Sequence, residues 1–346
     1  MGKEIIISPR QTKAPVPYLT AILLHRFFRM KRIPANSTAE HMLKSNSHCT
    51  LLPNFCTFTS QYLHQTFTIS TWPNNVGYAE SKAIKGEYNA TVAQFISMDG
   101  GYKLGDIKAV NTEWGGSFIM FLNENGGTKK YTLSKEEQEV LDTNATTIQM
   151  MFQYASDDEC KEWDDGTTPG WYFTADESAL LNMNELAVDD GKGFLFKPAE
   201  AGAQVVTAGE VAAEDTELVG MSMGEYNLTG NITPVSIKLG DITTSKTEWG
   251  GSFIMFLNEN GGTKKYTLSK EEQETLETSA TSFQMMFQYA SPAECAEWDD
   301  GTTPGWYFTA DESAMLNMNE LPIAAGEGFL FKPAESGATL IIPSAL

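Results

Sequence analysis

Residues Thr112–Glu139, TEWGGSFIMFLNENGGTKKYTLSKEEQE, return without one change as Thr247–Glu274, 135 positions later. Whatever local structure this stretch forms, the chain forms it twice. Around it two units align, 76–210 and 218–346, each of about 130 residues. Solenoid repeats run to roughly 20–50 residues and lean on their neighbours. A unit of this length buries roughly two thirds of its unfolded surface and is expected to fold as a bead of its own. The acidic stretch Thr207–Glu217 lacks bulky residues and supplies the linker, at 211–217.

The pattern inside each unit is one of short strands and turns. Phe118–Leu122 is an apolar run of strand length, suited to burial on both faces. Asn123–Gly127 supplies residues that tolerate positive φ, and Thr128–Leu133 alternates, which together read as a hairpin. Ser134 and Glu137 stand at capping-box spacing, which predicts a short surface helix over Lys135–Leu141. Ile148, Met150, Phe152 and Tyr154 share one strand face, a period-2 stripe that marks core. Gly193–Lys197 and Gly328–Lys332 read as late strands, and Val205–Val206 and Leu340–Ile342 close the units. The expected fold is therefore all-β: two tandem copies of an antiparallel β-sandwich or barrel-like module, each with one short helix.

Charge separates the repeats from what precedes them. Residues 1–75 hold 8 Lys/Arg against 2 Asp/Glu, whereas 76–346 hold 16 against 43, and all four histidines lie in the first segment. An acidic surface repels phosphate backbones, so no nucleic acid is expected on the repeats. Three readings of residues 1–75 compete. Arg26, Arg29 and Arg32 with Phe27 and Phe28 suit a basic arm for anionic lipid or nucleic acid. His48, Cys49, Cys56 and His64 cluster as a zinc site would, although the spacing fits poorly. The third reading, favoured by the abrupt change of composition, is an atypical basic leader that is not a folded domain. Ala14–Leu24 behind Lys3, Arg10 and Lys13 begins like a secretory signal, but His25–Arg32 stands where small neutral residues belong. The run is also too short to cross a bilayer.

Val76-Gly77-Tyr78, the Gly86–Asn89 GEYN, the tryptophan-rich middle and the closing GxGFLFK followed by TAGEV resemble a group of uncharacterised exported repeat proteins. That group occurs in bacteria of the planctomycete and verrucomicrobial lineage. The resemblance spans Val76–Leu346 and implies export, with secretion or a cell-surface location. It carries over no activity and no functional residue. In that group VGY follows closely on a signal peptide, and here 75 atypical residues take its place.

With no histidine in either unit, Ser-His-Asp and Cys-His nucleophiles and imidazole-bound metals are excluded there. Cys160 and Cys295 are one thiol per unit; a bridge between units is open to them, a bridge within one is not. Asp164-Asp165 and Asp299-Asp300 are candidate paired carboxylates or calcium ligands, but adjacent acids usually diverge. Asp157-Asp158 is not kept in the second copy, where PAEC replaces DDEC. Trp163 and Trp298, in polar turn-like surroundings, suit stacking on a sugar ring, against the alternative that they plug the core. The expectation is a non-enzymatic extracellular or surface structural or adhesive protein, without cofactor or metal. Its partners would be surface polysaccharide or itself, and the alternative is a pair of carbohydrate-binding modules using Trp163, Trp298, Asp164, Asp165, Asp299 and Asp300.

Overall fold

The computed structural model describes residues 3–6, 47–52, 55–60, 65–70, 76–80, 83, 85–95, 102–175, 179–311 and 314–345. They fall into two units, Met1–Asn74 and Asn75–Leu346. In the first, β1 (Lys3–Ile6), β2 (Ser47–Leu52), β3 (Phe55–Ser60) and β4 (Gln65–Ser70) form one sheet in the order β1-β4-β3-β2. β1 runs parallel to β4 and the other neighbours are antiparallel. The basic arm and signal-like run lie outside the described residues, as do His64 and the side chains of His48, Cys49 and Cys56.

The second unit is mostly β, and its pairings are antiparallel. Its first half holds β5 (Val76–Glu80), β6 (Asn89–Val92), β7 (Tyr102–Lys103), β8 (Lys108–Val110), β9 (Phe118–Met120), β10 (Lys130–Thr132) and β11 (Thr147–Gln149). There follow β12 (Met151–Ala155), β13 (Gly170–Thr174), β14 (Leu180–Asn182), β15 (Ala187–Val188), β16 (Gly193–Lys197) and β17 (Gln204–Glu210). A six-stranded sheet in the order β14-β13-β12-β9-β16-β6 carries the core, flanked by β5-β17-β8 and by the ribbons β15-β7 and β10-β11.

The second half repeats this set. It runs β18 (Thr216–Leu218), β19 (Asn227–Gly230), β20 (Ile237–Lys238), β21 (Thr243–Thr244), β22 (Phe253–Met255), β23 (Lys265–Thr267) and β24 (Ser282–Gln284). It continues with β25 (Met286–Ala290), β26 (Gly305–Asp311), β27 (Ala314–Asn317), β28 (Pro322–Ile323), β29 (Gly328–Lys332) and β30 (Leu340–Ile342). The six-stranded order is β19-β29-β22-β25-β26-β27, with β18-β30-β21 beside it.

Alternation along the central strands sorts residues between two faces. Ile119, Phe152, Phe194 and Phe196 point inward and are fully buried, as are Ile254, Phe287, Phe329 and Phe331. The turn after β9 is fixed by Asn123, whose Oδ1 accepts the N–H of Asn125 at 2.9 Å and of Gly127 at 3.0 Å. Gly126 takes φ 78° there, a region open to glycine without steric penalty. The hairpin expected from the sequence is only partial. Leu122 bridges Thr128, but the returning strand β10 then leaves to pair with β11.

The surface helix forms over Lys135–Val140, with the Ser134–Glu137 capping box in place and no buried residue. The expectation of one short helix per copy needs correction. A second helix spans Asp157–Trp163, with Pro292–Trp298 as its counterpart, and Leu104–Asp106 and Leu239–Asp241 each make one 3-10 turn. The connection between copies is also shorter than the acidic composition suggested. Thr207–Glu210 belong to β17, paired with β5, and Thr216–Leu218 pair with β30, which leaves 211–215.

The two halves share apolar surface. Leu122 and Leu195 of the first copy and Leu228 and Leu330 of the second form one buried cluster, flanked by Tyr88, Ala90, Met120, Tyr226, Met255 and Leu257. Met120, Leu195, Met255 and Leu330 alternate along their strands with the inward Ile119, Phe196, Ile254 and Phe331, and so lie on the other face of each six-stranded sheet. Val92 joins the core of the second copy. Matched hydrogen bonds cross the seam: Tyr88 N–H to the Glu259 carbonyl at 2.7 Å, Tyr226 N–H to the Glu124 carbonyl at 2.9 Å. Burying one leucine contributes roughly 1.5–3 kcal/mol, so a copy that exposed two would lose roughly 3–6 kcal/mol. That is a large part of a domain's usual roughly 5–15 kcal/mol, and two independent beads would not share such a cluster.

Candidate functional site

The helix Asp157–Trp163 organises the tryptophan-rich end of the first copy. Ser156 caps it: the Glu159 N–H donates to Ser156 Oγ at 3.3 Å, and the Ser156 N–H returns to Glu159 Oε2 at 2.8 Å. This Ser-x-x-Glu box is the same signal that marks Ser134–Glu137, and reading Trp163 as part of a turn overlooked it. The second copy repeats the box with Ser291 and Glu294. Pro292 stands at the first helical position, where its missing N–H costs nothing.

Glu159 has a second task. Its Oε1 accepts the backbone N–H of Trp114 at 2.6 Å, which ties the loop before β9 to the helix. Trp163 at the helix end meets Trp114 edge-on, ring centroids 5.1 Å apart at 80°, and Trp114 meets Tyr172 at 6.4 Å. Both indoles are half-buried over Ala155, Cys160 and Tyr172. Edge-to-face pairs of this kind add about 0.5–1.5 kcal/mol beyond area burial. The second copy matches in kind, with Trp249–Trp298 at 5.1 Å and Trp249–Tyr307 at 6.4 Å.

Trp171, by contrast, is a core residue with no exposure. Its indole N–H donates to the Ile107 carbonyl at 2.6 Å, and its backbone N–H donates to Asn184 Oδ1 at 2.8 Å. Trp306 repeats both contacts on Ile242 and Asn319.

The acidic pairs close the helices. Asp164 is the C-cap residue in the left-handed region at φ 50°, its N–H reaching the Cys160 carbonyl at 3.3 Å. Asp165 Oδ1 accepts the Thr167 N–H at 2.8 Å, an Asx turn. Hydrogen bonding from Thr167, by side chain and then by backbone, holds the Asp165 carboxyl below its ordinary value. Asp299 and Asp300 repeat both roles, with Thr302 as the donor. All four aspartates are exposed. Neighbours in sequence, they serve separate local turns.

Cys160 and Cys295 are free and buried. Burial, then the charges of Glu159, Asp157 and Asp165, pushes the Cys160 thiol up, away from the reactive thiolate. Burial and then Glu294 and Asp300 do the same to Cys295. Among the described residues no group of three or more His, Cys, Asp and Glu side chains is placed to hold a metal ion. Nor, among them, is any helix long and apolar enough to cross a membrane.

The structure thus gathers Trp163, Asp164 and Asp165 at one helix end, and Trp298, Asp299 and Asp300 at its counterpart. The tie between Trp114 and Glu159 spans 45 residues and leaves no local spacing to read, so sequence reasoning missed Trp114 as their neighbour. Comparison with family models, with curated proteins and with solved structures gives no match.

Proposed function

We propose that the repeats form a non-enzymatic structural or adhesive element of an extracellular or cell-surface protein, built from two sandwich-like modules. One observation carries this reading: at the tryptophan-rich end, residues of the kinds that do chemistry are taken up by the fold. Asp164 caps a helix, Asp165 closes a turn, Glu159 ties a loop, and Cys160 is buried under Trp114 and Trp163. Such a unit presents surface rather than an activated group. The test is protease shaving of intact source cells, followed by detection with an antibody to the repeats. Loss of the signal without lysis supports a surface location; a signal found only after lysis refutes it.

A second reading rests on Trp163 and Trp298. Each indole stays partly open beside two exposed aspartates, a pairing of apolar ring face and hydroxyl acceptors that suits a sugar. Two such sites in one chain would add avidity. Binding to a polysaccharide panel, lost in Trp163→Ala/Trp298→Ala and kept in Trp163→Phe/Trp298→Phe, would favour it. Equal retention by all three chains would remove it.

A further inference from the structure

The Gly-x-Gly turns that precede β16 and β29 are shaped by the opposite copy. A Cβ on Gly191 would lie 2.5 Å from Leu218 Cδ2, and one on Gly193 would lie 2.7 Å from Leu228 Cγ. Reciprocally, a Cβ on Gly326 would strike the Gln94 side chain, and one on Gly328 would lie 2.7 Å from the Ala90 carbonyl carbon and the Thr91 nitrogen. Two threonines then reach across the seam. Thr229 Oγ1 donates to the Gly191 carbonyl at 2.8 Å, and Thr91 Oγ1 donates to the Gly326 carbonyl at 2.9 Å. Each copy therefore contributes the same two parts, a threonine strand and a Gly-x-Gly turn.

A surface that pairs the same patches from both sides is isologous and closes at two members. We propose that it is a docking surface for a second copy of this chain, filled by exchange: copy 1 of one chain pairs with copy 2 of the other, and reciprocally. Three features support this. Four pairs of the apolar residues that meet are the same in both copies, Met120 and Met255, Leu122 and Leu257, Leu195 and Leu330, Tyr88 and Tyr226, whereas Ala90 stands where copy 2 has Leu228. The hinge is only 211–215, and a short hinge invites exchange wherever closure strains it. Like copies are also mismatched. Val92 of copy 1 enters the core of copy 2 beside Gly230, where even a Cβ would stand 3.0 Å from Val92 Cγ1. A pair of first copies would set valine against valine at that place, so exchange joins unlike copies.

Tethering gives the closed monomer an effective concentration in the millimolar range, so exchange has to be captured while chains fold together. Two full-length chains with different affinity tags are unfolded in urea, mixed, and refolded over a range of protein concentrations. Capture on one tag and then the other should recover a species of twice the chain mass by light scattering. Its share should fall about tenfold for each tenfold dilution of the refolding mixture while monomer dominates, as mass action requires. Gly193→Ala/Gly328→Ala should abolish it. Should that variant fail to fold, Thr229→Val, which keeps the side-chain shape and removes the hydroxyl, should still shorten the lifetime of the doubly tagged species. No doubly tagged species at any concentration would overturn the proposal. So would an undiminished yield from the glycine variant, or an unchanged lifetime with Thr229→Val.

Discussion

Glu159 holds Trp114 by its backbone N–H at 2.6 Å while its other oxygen closes the capping box on Ser156. One carboxylate thus fixes a helix start and a loop that enters the central sheet. Losing a cap costs about 0.5–2 kcal/mol, and an unmet N–H adds about 1–3 kcal/mol if it stays buried. Glu159→Ala is expected to lower stability by about 2 kcal/mol in urea unfolding, with a red shift of tryptophan emission. Glu162→Ala, one turn on and exposed, should fall within about 0.5 kcal/mol of the parent.

The two threonines of the seam should not be equivalent. The Gly326 carbonyl also accepts the Val92 N–H at 3.3 Å, so Thr91→Val leaves it a partner. The Gly191 carbonyl has the Thr229 hydroxyl at 2.8 Å. Thr229→Val is therefore expected to cost more, about 1–3 kcal/mol against about 1 kcal/mol for Thr91→Val. Paired melting curves on the full chain check the order, which the reverse ranking would contradict.

Gly170 and Asn184 should couple. Gly170 takes φ 150°, and a Cβ there would run into the Asn184 side chain. Asn184 meanwhile accepts the Trp171 N–H and donates to the Pro169 carbonyl at 3.3 Å. Gly170→Ala and Asn184→Ala should each destabilise, but the pair by less than the sum, since removing the amide removes the collision. A double-mutant cycle is expected to give a coupling of about 1 kcal/mol or more. Strict additivity would mean that the contact carries no strain.

The thiols set a pH dependence of definite sign. Burial raises the folded values of Cys160 and Cys295 above those of the unfolded chain. Their contribution is thus complete below the unfolded value, about 8.5, and is lost as pH rises through the folded values. Stability should fall on going from pH 8 to pH 10, and less so in Cys160→Ala/Cys295→Ala. Thiol reagents at pH 8 should label both positions only as the chain unfolds. The aspartates act in the opposite sense. Asp165 and Asp300 are held low, so their contribution is present above about pH 4 and lost as pH falls through the folded values. Thr167→Val should move the Asp165 titration upward in carboxyl NMR.

Much of the local structure was legible in the residues. Ser134 and Glu137 announced a helix, Asn123 and Gly126 a turn, and the Ile148–Tyr154 alternation a buried strand face. Each depends on partners within a few positions. The helix Asp157–Trp163 carries an equally readable box in Ser156 and Glu159, although its tryptophan and the aspartates that follow suit a turn as well. Other features had no local signal. Nothing beside Leu195 or Leu228 says that they meet each other, and Gly191 and Gly193 read as turn glycines until Leu218 and Leu228 arrive against them. Pairing between copies depends on chain geometry at long range, which residue spacing does not encode. The same limit hid Trp114 behind Trp163.

In each copy the opening strand lies against the closing one: Val76 pairs with Glu210, and Thr216 with Ile342. Doorway and exit are therefore side by side. A segment with that property can be inserted whole at a single point of a chain, but here each inserted copy brings a leucine face that only the other copy covers.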